Sequence, residues 1–131
     1  MKGYYTNIEK LTLENNAFRK VLYTSGHMQL VAMNLLPGEA IGEEIHTEND
    51  QFFRFEQGAG KCIIDGNEYQ VADGDVIIIP SGAKHNVINT GNIPLKMYTI
   101  YAPPHHKDGI IRQTKKEAEE NEAEFDGQTT E

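Results

Sequence analysis

The chain has 131 residues, of which 38% are hydrophobic and 24% charged, a composition typical of one folded domain. Its 20 Asp and Glu against 12 Lys and Arg give a formal net charge of -8, which disfavours nucleic acid or an anionic membrane surface as a partner. The single cysteine, Cys62, excludes an internal disulfide and a zinc site built on paired cysteines. The N-terminal segment contains no apolar run, so we expect a cytoplasmic protein that does not enter a membrane.

The middle of the chain, residues 17–102, alternates short β-like runs with Gly, Asn, Asp and Pro turns. This pattern predicts an all-β sandwich or barrel. Turns such as Asp65-Gly66 and Asp73-Gly74 favour tight connections between neighbouring strands. The expected strands cover residues 18–23, 28–36, 44–46, 52–56, 61–65, 68–71, 76–79, 85–89 and 95–101.

The C-terminal segment changes character after a Pro-Pro pair and becomes acidic. Thr114, followed three residues later by Glu117, matches a capping box and predicts a short helix that runs to about Phe125. The residues beyond that helix are expected to be frayed, and the helix itself is read as a solvated one in preference to an acidic interaction arm. The expected units are a barrel with an N-terminal extension over residues 1–111 and an acidic helix and tail over residues 112–131.

The most specific motif lies between Gly74 and Asn89, which reads GDVIIIPSGAKHNVIN. The spacing of Gly74, Pro80, Gly82, His85 and Asn89 resembles the second motif of the cupin superfamily. Cupins are small double-stranded β-helix barrels, also called jelly rolls. The resemblance implies this all-β fold, with His85 pointing into the barrel and binding a metal ion.

The first cupin motif is expected a few tens of residues earlier, and residues 38–58 occupy that place with the sequence GEAIGEEIHTENDQFFRFEQG. His46 aligns with the second histidine of that motif, and Gly38 and Gly58 are in place. Glu44 stands where the first histidine would be, and Gln51 stands where the glutamate would be. The resemblance therefore implies a metal site whose usual ligands have been rearranged.

Strand alternation indicates which of these side chains point inwards. Glu44 and His46 are two residues apart, so they share one face of a strand. Gln51 is on the face opposite Arg54 and Glu56, and because this charged pair belongs outside, Gln51 points in. The predicted metal ligands are Glu44, His46, Gln51 and His85.

Two imidazoles and one carboxylate suit a single divalent transition metal ion, Fe, Mn, Ni, Co or Zn, with positions open for water or substrate. An amide oxygen is a poor ligand for these ions, so Gln51 either binds weakly or orients a bound water. The alternative is a pocket without metal, whose polar residues hydrogen-bond one another or a ligand.

The remaining candidates have weaker signals. Cys62 is read as a small buried hydrophobe, His27 as an edge or pocket-lining residue, and His105 and His106 as loop residues that are more often solvent-exposed. Ser81 has no paired base and is not expected to be a nucleophile. Residues expected to line the pocket or the core are Gln29, Met33, Phe53, Phe55, Met97 and Tyr98.

These features favour a metal-dependent enzyme acting on a small molecule, dioxygenase-like or isomerase-like, in which Glu44 or a metal-bound water manages protons. The alternative is a non-catalytic cupin that binds or senses a small molecule or a metal. A sugar-phosphate substrate is disfavoured, because Arg54 and Lys61 are expected to face outwards. The cupin resemblance also implies a homodimer, for which residues 8–21 and the tail would supply an interface.

Overall fold

The fold consists of two antiparallel β-sheets closed into a jelly-roll barrel, described by a computed structural model over residues 1–131. In chain order the elements are α1 (Ile8–Glu14), β1 (Arg19–Thr24), β2 (Gln29–Leu35), β3 (Glu44–Ile45), β4 (Asp50–Gln57), β5 (Ala59–Ile64), β6 (Asn67–Ala72), β7 (Val76–Ile79), β8 (Lys84–Asn89), β9 (Leu95–Ala102), β10 (Ile111–Arg112) and α2 (Lys115–Glu120). The six-stranded sheet has the order β10-β1-β2-β9-β4-β7, and the four-stranded sheet has the order β3-β8-β5-β6. This confirms the predicted fold class.

Turn chemistry explains why the strands begin and end where they do. Asp65 and Gly66 have φ of 47° and 82°, the left-handed conformation that a two-residue hairpin between β5 and β6 requires. All nine strands expected from the sequence are present, and their ends differ from expectation by at most two residues. The pairing of β3 with β8 sets Glu44 directly opposite His85, which is the register on which the candidate site depends.

The core lies between the two sheets and is made of alternate residues from their inner faces. Phe53, Phe55, Met33 and Met97 are at most 1% exposed, so these side chains fill the barrel. Close packing also explains Gly60, where a Cβ would lie 2.6 Å from the carbonyl oxygen of Ile88. Large side chains and a close backbone approach together leave the mouth of the barrel as the place for a ligand.

The end of the four-stranded sheet is fixed by Asn89, which is 2% exposed. Its Nδ2 donates to the carbonyls of Leu35 and Ile93, both at 2.9 Å, and its Oδ1 accepts from the N–H of Gly91 at 2.9 Å. The asparagine that closes the second motif is therefore structural.

Helix α1 was not expected from the sequence. Asn7 caps it by accepting from the N–H of Lys10 at 3.0 Å, and Thr12 is fully buried against the barrel. Lys96, on the outer face of β9, donates to the carbonyl of Leu13 at 2.6 Å. A helix this short is stabilised by such tertiary contacts and not by its own propensity, which is why the sequence pattern missed it. Neither helix is long and apolar enough to cross a membrane.

Helix α2 ends at Glu120 and not at about Phe125, so the predicted length is wrong. Asn121 folds back and donates from Nδ2 to the carbonyl of Glu117 at 2.9 Å. The chain then becomes extended and pairs with the loop after β9, where the N–H of Phe125 donates to the carbonyl of His105 at 3.0 Å. Backbone pairing with this distant loop replaces the last turns of the helix.

The tail was expected to fray, and this expectation is also wrong. The N–H of Thr130 donates to the carbonyl of Thr24 at 2.9 Å, and the N–H of Thr24 donates to Oγ1 of Thr130 at 2.8 Å. The carboxylate of Glu131 accepts from the hydroxyl of Tyr23 at 2.6 Å and from the N–H of Gly3 at 2.9 Å. These contacts hold both ends of the chain beside β1.

Candidate metal centre

Glu44, His46 and His85 meet at the mouth of the barrel. Nε2 of His46 donates to Oε2 of Glu44 at 2.9 Å, and Nε2 of His85 lies 3.9 Å from the same oxygen. One ligand atom from each of the three residues can be chosen so that all lie within 4.8 Å of one another. A single cation can therefore contact two imidazoles and one carboxylate here.

Local structure explains how these side chains converge. Glu44 and His85 are opposite each other in the β3–β8 pair. His46 directly follows β3, and its side chain lies on the same side as that of Glu44, as alternation predicts. The turn of the second motif also touches the first motif, because the N–H of Gly82 donates to the carbonyl of His46 at 2.8 Å. The two motifs thus fix one another.

The electrostatics of Glu44 favour the ionised carboxylate. Burial raises the pKa of this carboxyl, but the hydrogen bond from His46 and the electrostatic interactions with His46, His85 and Arg19 together outweigh burial and leave the pKa below its usual value. An ionised carboxylate between two imidazoles is the arrangement that attracts a divalent cation.

Two buried lone pairs without hydrogen-bond donors support the fit to a metal ion. Nδ1 of His85 donates to the carbonyl of Ala83 at 3.0 Å, which leaves Nε2 as an acceptor, and this atom is buried without a partner. Oε1 of Gln51 is also buried and unpartnered, while its Nε2 donates to Oγ1 of Thr99 at 3.1 Å. Buried acceptors without donors are costly in a folded protein, and a cation would satisfy them.

Three further aromatic side chains surround the metal-binding group. The rings of His46 and His105 are 4.4 Å apart, and His46 and Tyr101 are 5.9 Å apart, measured between centroids. His105 stacks on Tyr101 at 5.1 Å, and Nε2 of His106 lies 3.3 Å from the Tyr101 hydroxyl. The expectation that His105 and His106 are solvent-exposed is wrong, because both pack at the site.

The loop that carries these histidines is held by two buried amides. Oε1 of Gln29 accepts from the N–H groups of His105 and His106 at 3.2 and 2.9 Å, and Nε2 of Gln29 donates to the carbonyl of His106 at 2.7 Å. Asn49 donates to the carbonyls of Pro103 and Pro104. Gln29, expected to line the pocket or the core, is fully buried and positions the histidine loop.

Burial keeps the groups around the metal site uncharged. It lowers the pKa of His106 to about 2, with a further contribution from the positive charge of Arg19, and it lowers the pKa of His105. Burial and the nearby carboxylate of Glu44 raise the pKa of Tyr101 by more than the Arg19 charge and the hydrogen bond with the Gln51 amide lower it. At neutral pH, His106 is a neutral imidazole and Tyr101 a protonated phenol, so both can donate or accept a hydrogen bond.

A cavity of about 380 Å³ opens above the metal-binding group. Arg19, Glu44 and His46 line it, together with His105 and His106 of the loop after β9. Residues between 115 and 124, from α2 and from the segment whose backbone pairs with that loop, line it as well. Ala118, 5% exposed, anchors this helix in the barrel core. The acidic segment is therefore part of the cavity and not a detached solvated helix.

The structure shows which of the other residues expected to line the pocket or the core lie in the core and which do not. Met33, Phe53, Phe55 and Met97 are buried in the core and do not line the cavity. Tyr98 points to the opposite face of β9, where its ring lies 6.3 Å from that of Phe52. Its assignment to the pocket or core is incorrect, because neighbouring residues of a strand face opposite sides and Met97 points in.

Sequence reasoning did not identify Arg19, Tyr101 and the wall from 115 to 124 as parts of the site. Alternation could have identified Tyr101, because it shares a face with Met97 on β9 and pairs with the inward-facing Gln51. Arg19 pairs with the core residue Met33, but no local pattern distinguishes it from an outward-facing base. Arg19 is thus a base of the cavity that the sequence analysis, which considered only Arg54 and Lys61, did not include.

The protein is a small double-stranded β-helix barrel whose mouth carries a cluster of two histidines and one glutamate that could hold a metal ion. A family model described as the cupin domain matches residues 31–101. The chain belongs to the cupin family.

Related proteins match this chain over most of its length. The chain is 47% identical to the Bacillus subtilis protein YrkC over 123 residues, covering 89% of this chain and 66% of that protein, slightly less than two thirds. It is 42% identical to protein L612 of Acanthamoeba polyphaga mimivirus, covering 82% and 70% of the two chains. The crystal structure of BH2720 from Bacillus halodurans is similar with a TM-score of 0.90 and 43% identity, covering 92% of this chain and 96% of that one.

Proposed function

We propose that this protein binds one divalent transition metal ion through Glu44, His46 and His85 and acts as a metal-dependent enzyme on a small molecule in the cavity. The observation that carries the proposal is the convergence of these three ligand groups within 4.8 Å. The unpartnered Nε2 of His85 and Oε1 of Gln51 support it. When bound by these residues, such an ion would supply Lewis-acid or redox chemistry to a small molecule in the cavity.

The chain's own residues can move and hold protons next to that group. Glu44 is ionised at neutral pH because its pKa is lowered, so its carboxylate can accept a proton as a general base. Neutral His106 and the protonated hydroxyl of Tyr101 are 3.3 Å apart and can pass or donate a proton. These groups support an isomerase-like proton transfer, whereas a dioxygenase-like reaction would depend on the redox chemistry that a metal ion held by Glu44, His46 and His85 would supply.

The metal site is tested by measuring the affinities of Mn, Fe, Co, Ni and Zn ions for wild type, Glu44→Gln and His85→Ala, on protein prepared without a histidine tag. We expect each variant to lose more than the roughly 10- to 100-fold that follows removal of a residue that only orients a ligand. His27→Ala is the matched control, because His27 is exposed and outside the site. Wild-type affinity in both site variants would rule out the proposed ligands.

The enzyme is distinguished from a binding or sensing protein by turnover. Metal-loaded protein is incubated in D2O with sugars, hydroxy acids and oxo acids, and proton NMR detects solvent deuterium entering a C–H bond, as an isomerase-like reaction requires. An oxygen electrode detects a dioxygenase-like reaction with the same compounds. Either activity should disappear on chelation of the metal and in Glu44→Gln. Tight, metal-dependent binding of a compound without turnover by either assay would favour the non-catalytic alternative.

A further inference from the structure

Arg19 enters the cavity without a hydrogen-bond or ion-pair partner. On β1 it pairs with Met33, whose side chain is fully buried in the core, so the Arg19 side chain leaves the same inner face and reaches the cavity. Its guanidinium carbon lies 5.3 Å from the centroid of the Phe18 ring. Nε of Arg19 is buried and makes no hydrogen bond, and no carboxylate lies within 4.0 Å of its guanidinium.

An arginine in this state is unusual for a folded protein. A guanidinium carries five N–H donors and a permanent charge, and leaving one of these donors, the buried Nε–H, without an acceptor is costly. Glu44, an acid that lines the same cavity, is already hydrogen-bonded to His46. The guanidinium of Arg19 is therefore available to bind an anionic ligand.

The charges around the cavity indicate which anion fits. Lys115, the other base that lines it, lies 3.7 Å from Glu119 on the next turn of α2. Glu122 and Glu124 add negative charge to the same wall. One free guanidinium in a cavity that acidic side chains also line matches a group with a single charge and planar geometry, which is a carboxylate. A doubly charged phosphate would meet more repulsion and only one unpaired base.

We propose that Arg19 is the anion-binding residue of the cavity and anchors a carboxylate of the small molecule that this protein takes as substrate or ligand. The part of the proposal that places the other end of that molecule at the metal ion rests on the proposed function. The binding of the carboxylate by Arg19 does not.

The first test uses metal-free protein and glutarate as the probe. The Nε–H resonance of Arg19 is assigned by its loss in Arg19→Gln, and it should shift on titration with glutarate and stay unchanged with the neutral glutaramide. Arg19→Gln should bind glutarate at least about tenfold more weakly, which corresponds to about 1.4 kcal/mol. Lys20→Gln is the matched control, because Lys20 is the next residue of the same strand and lies outside this cavity.

Three results would overturn the proposal. They are an Nε–H signal that glutarate does not move, a glutarate affinity that is equal in wild type and Arg19→Gln, and binding of inorganic phosphate that is tighter than binding of glutarate. A folding defect in Arg19→Gln is handled with Arg19→Lys, which keeps the charge and loses the planar fork. Affinity in Arg19→Lys should lie between those of wild type and Arg19→Gln.

The second test separates this inference from the metal site. Metal-loaded protein is titrated with ω-carboxy hydroxamates of two to four methylene groups and with matched hydroxamates that end in a methyl group. The carboxylate should improve binding in wild type and not in Arg19→Gln. Equal binding of the carboxylate-terminated and methyl-terminated series by wild type would overturn the proposal that one molecule contacts both Arg19 and the metal ion. If no hydroxamate binds while glutarate still moves the Arg19 signal, the proposed metal function fails and the anion site stands.

Discussion

Replacing Gln51 with glutamate tests whether its amide oxygen faces the metal ion. Gln51 is 3% exposed, and its Oε1 has no hydrogen-bond partner. The substitution keeps the size of the side chain, and the carboxylate can still accept a hydrogen bond from the hydroxyl of Thr99, which lies 3.1 Å from Nε2 of Gln51. If Oε1 faces the ion, Gln51→Glu adds a second anionic ligand beside Glu44. We expect metal affinity to increase by about 1 to 3 kcal/mol, or roughly 5- to 150-fold.

The same substitution should have the opposite effect on the metal-free protein. Burial and the negative charge of Glu44 raise the folded-state pKa of the new carboxyl above the roughly 4.3 expected in the unfolded chain. The folded state then binds more protons, so stability is unaffected below the unfolded pKa and is lost as pH rises through the folded pKa. Each unit of separation between the two pKa values costs about 1.4 kcal/mol at neutral pH.

The assays are isothermal titration with Mn, Co, Ni and Zn ions and urea unfolding of metal-free protein from pH 4 to pH 8. Gln70→Glu is the control, because it adds the same charge at an exposed position of β6. We expect Gln51→Glu alone to bind metal more tightly and to lose stability with rising pH, and saturating metal should remove that loss. Unchanged metal affinity together with an unchanged pH profile would refute the placement of Oε1 beside the ion.

Three further predictions concern stability and reactivity. Asn89→Ala removes three buried hydrogen bonds and should lower the free energy of unfolding by about 2 to 4 kcal/mol in urea; a loss well under about 1 kcal/mol would show that these bonds are not needed. Cys62 is fully buried, and burial raises its pKa to about 11, so iodoacetamide at pH 8 should modify it only in urea, and rapid modification of native protein would contradict this. The pKa of Glu44 is lowered, so its contribution to the stability of metal-free protein is complete above the unfolded pKa of roughly 4.3 and is lost as pH falls through the lower folded value. Wild type should therefore lose more stability than Glu44→Gln between pH 5 and pH 3, and equal losses would argue against this ionised carboxylate.

Local patterns were sufficient for the barrel because each strand carries its own turn signals and its own two-residue alternation. The same alternation correctly oriented Gln51, since the charged residues on its other face had to avoid the core. It was applied incompletely to Met97 and Tyr98, which were both assigned to the interior although adjacent strand residues point to opposite faces. Sequence analysis of strands is therefore reliable where the sheet face that a side chain occupies is determined by residues nearby in the sequence.

Contacts between distant parts of the chain decide the rest of the site, and no local pattern encodes them. His105 and His106 follow a Pro-Pro pair, and the hydrogen bonds that their N–H groups donate to Gln29, 76 and 77 residues away, help to turn them towards the cavity. The wall around α2 depends on backbone pairing between residues 105–107 and 123–125. Both features require the folded barrel before they can form.

The candidate site is divided between the two sheets, and this division has an energetic consequence. Glu44 and His85 belong to the four-stranded sheet, whereas Gln51, Tyr101 and Arg19 belong to the six-stranded sheet. A ligand that contacts both sets can bind tightly only when the sheets are closed against each other, so its binding free energy also stabilises the closed barrel. One ligand at a hundred times its dissociation constant adds about 2.7 kcal/mol to the free energy of unfolding. Since metal and carboxylate would contact different residues of one cavity, their effects on unfolding should depend on each other, which isolated surface sites would not show.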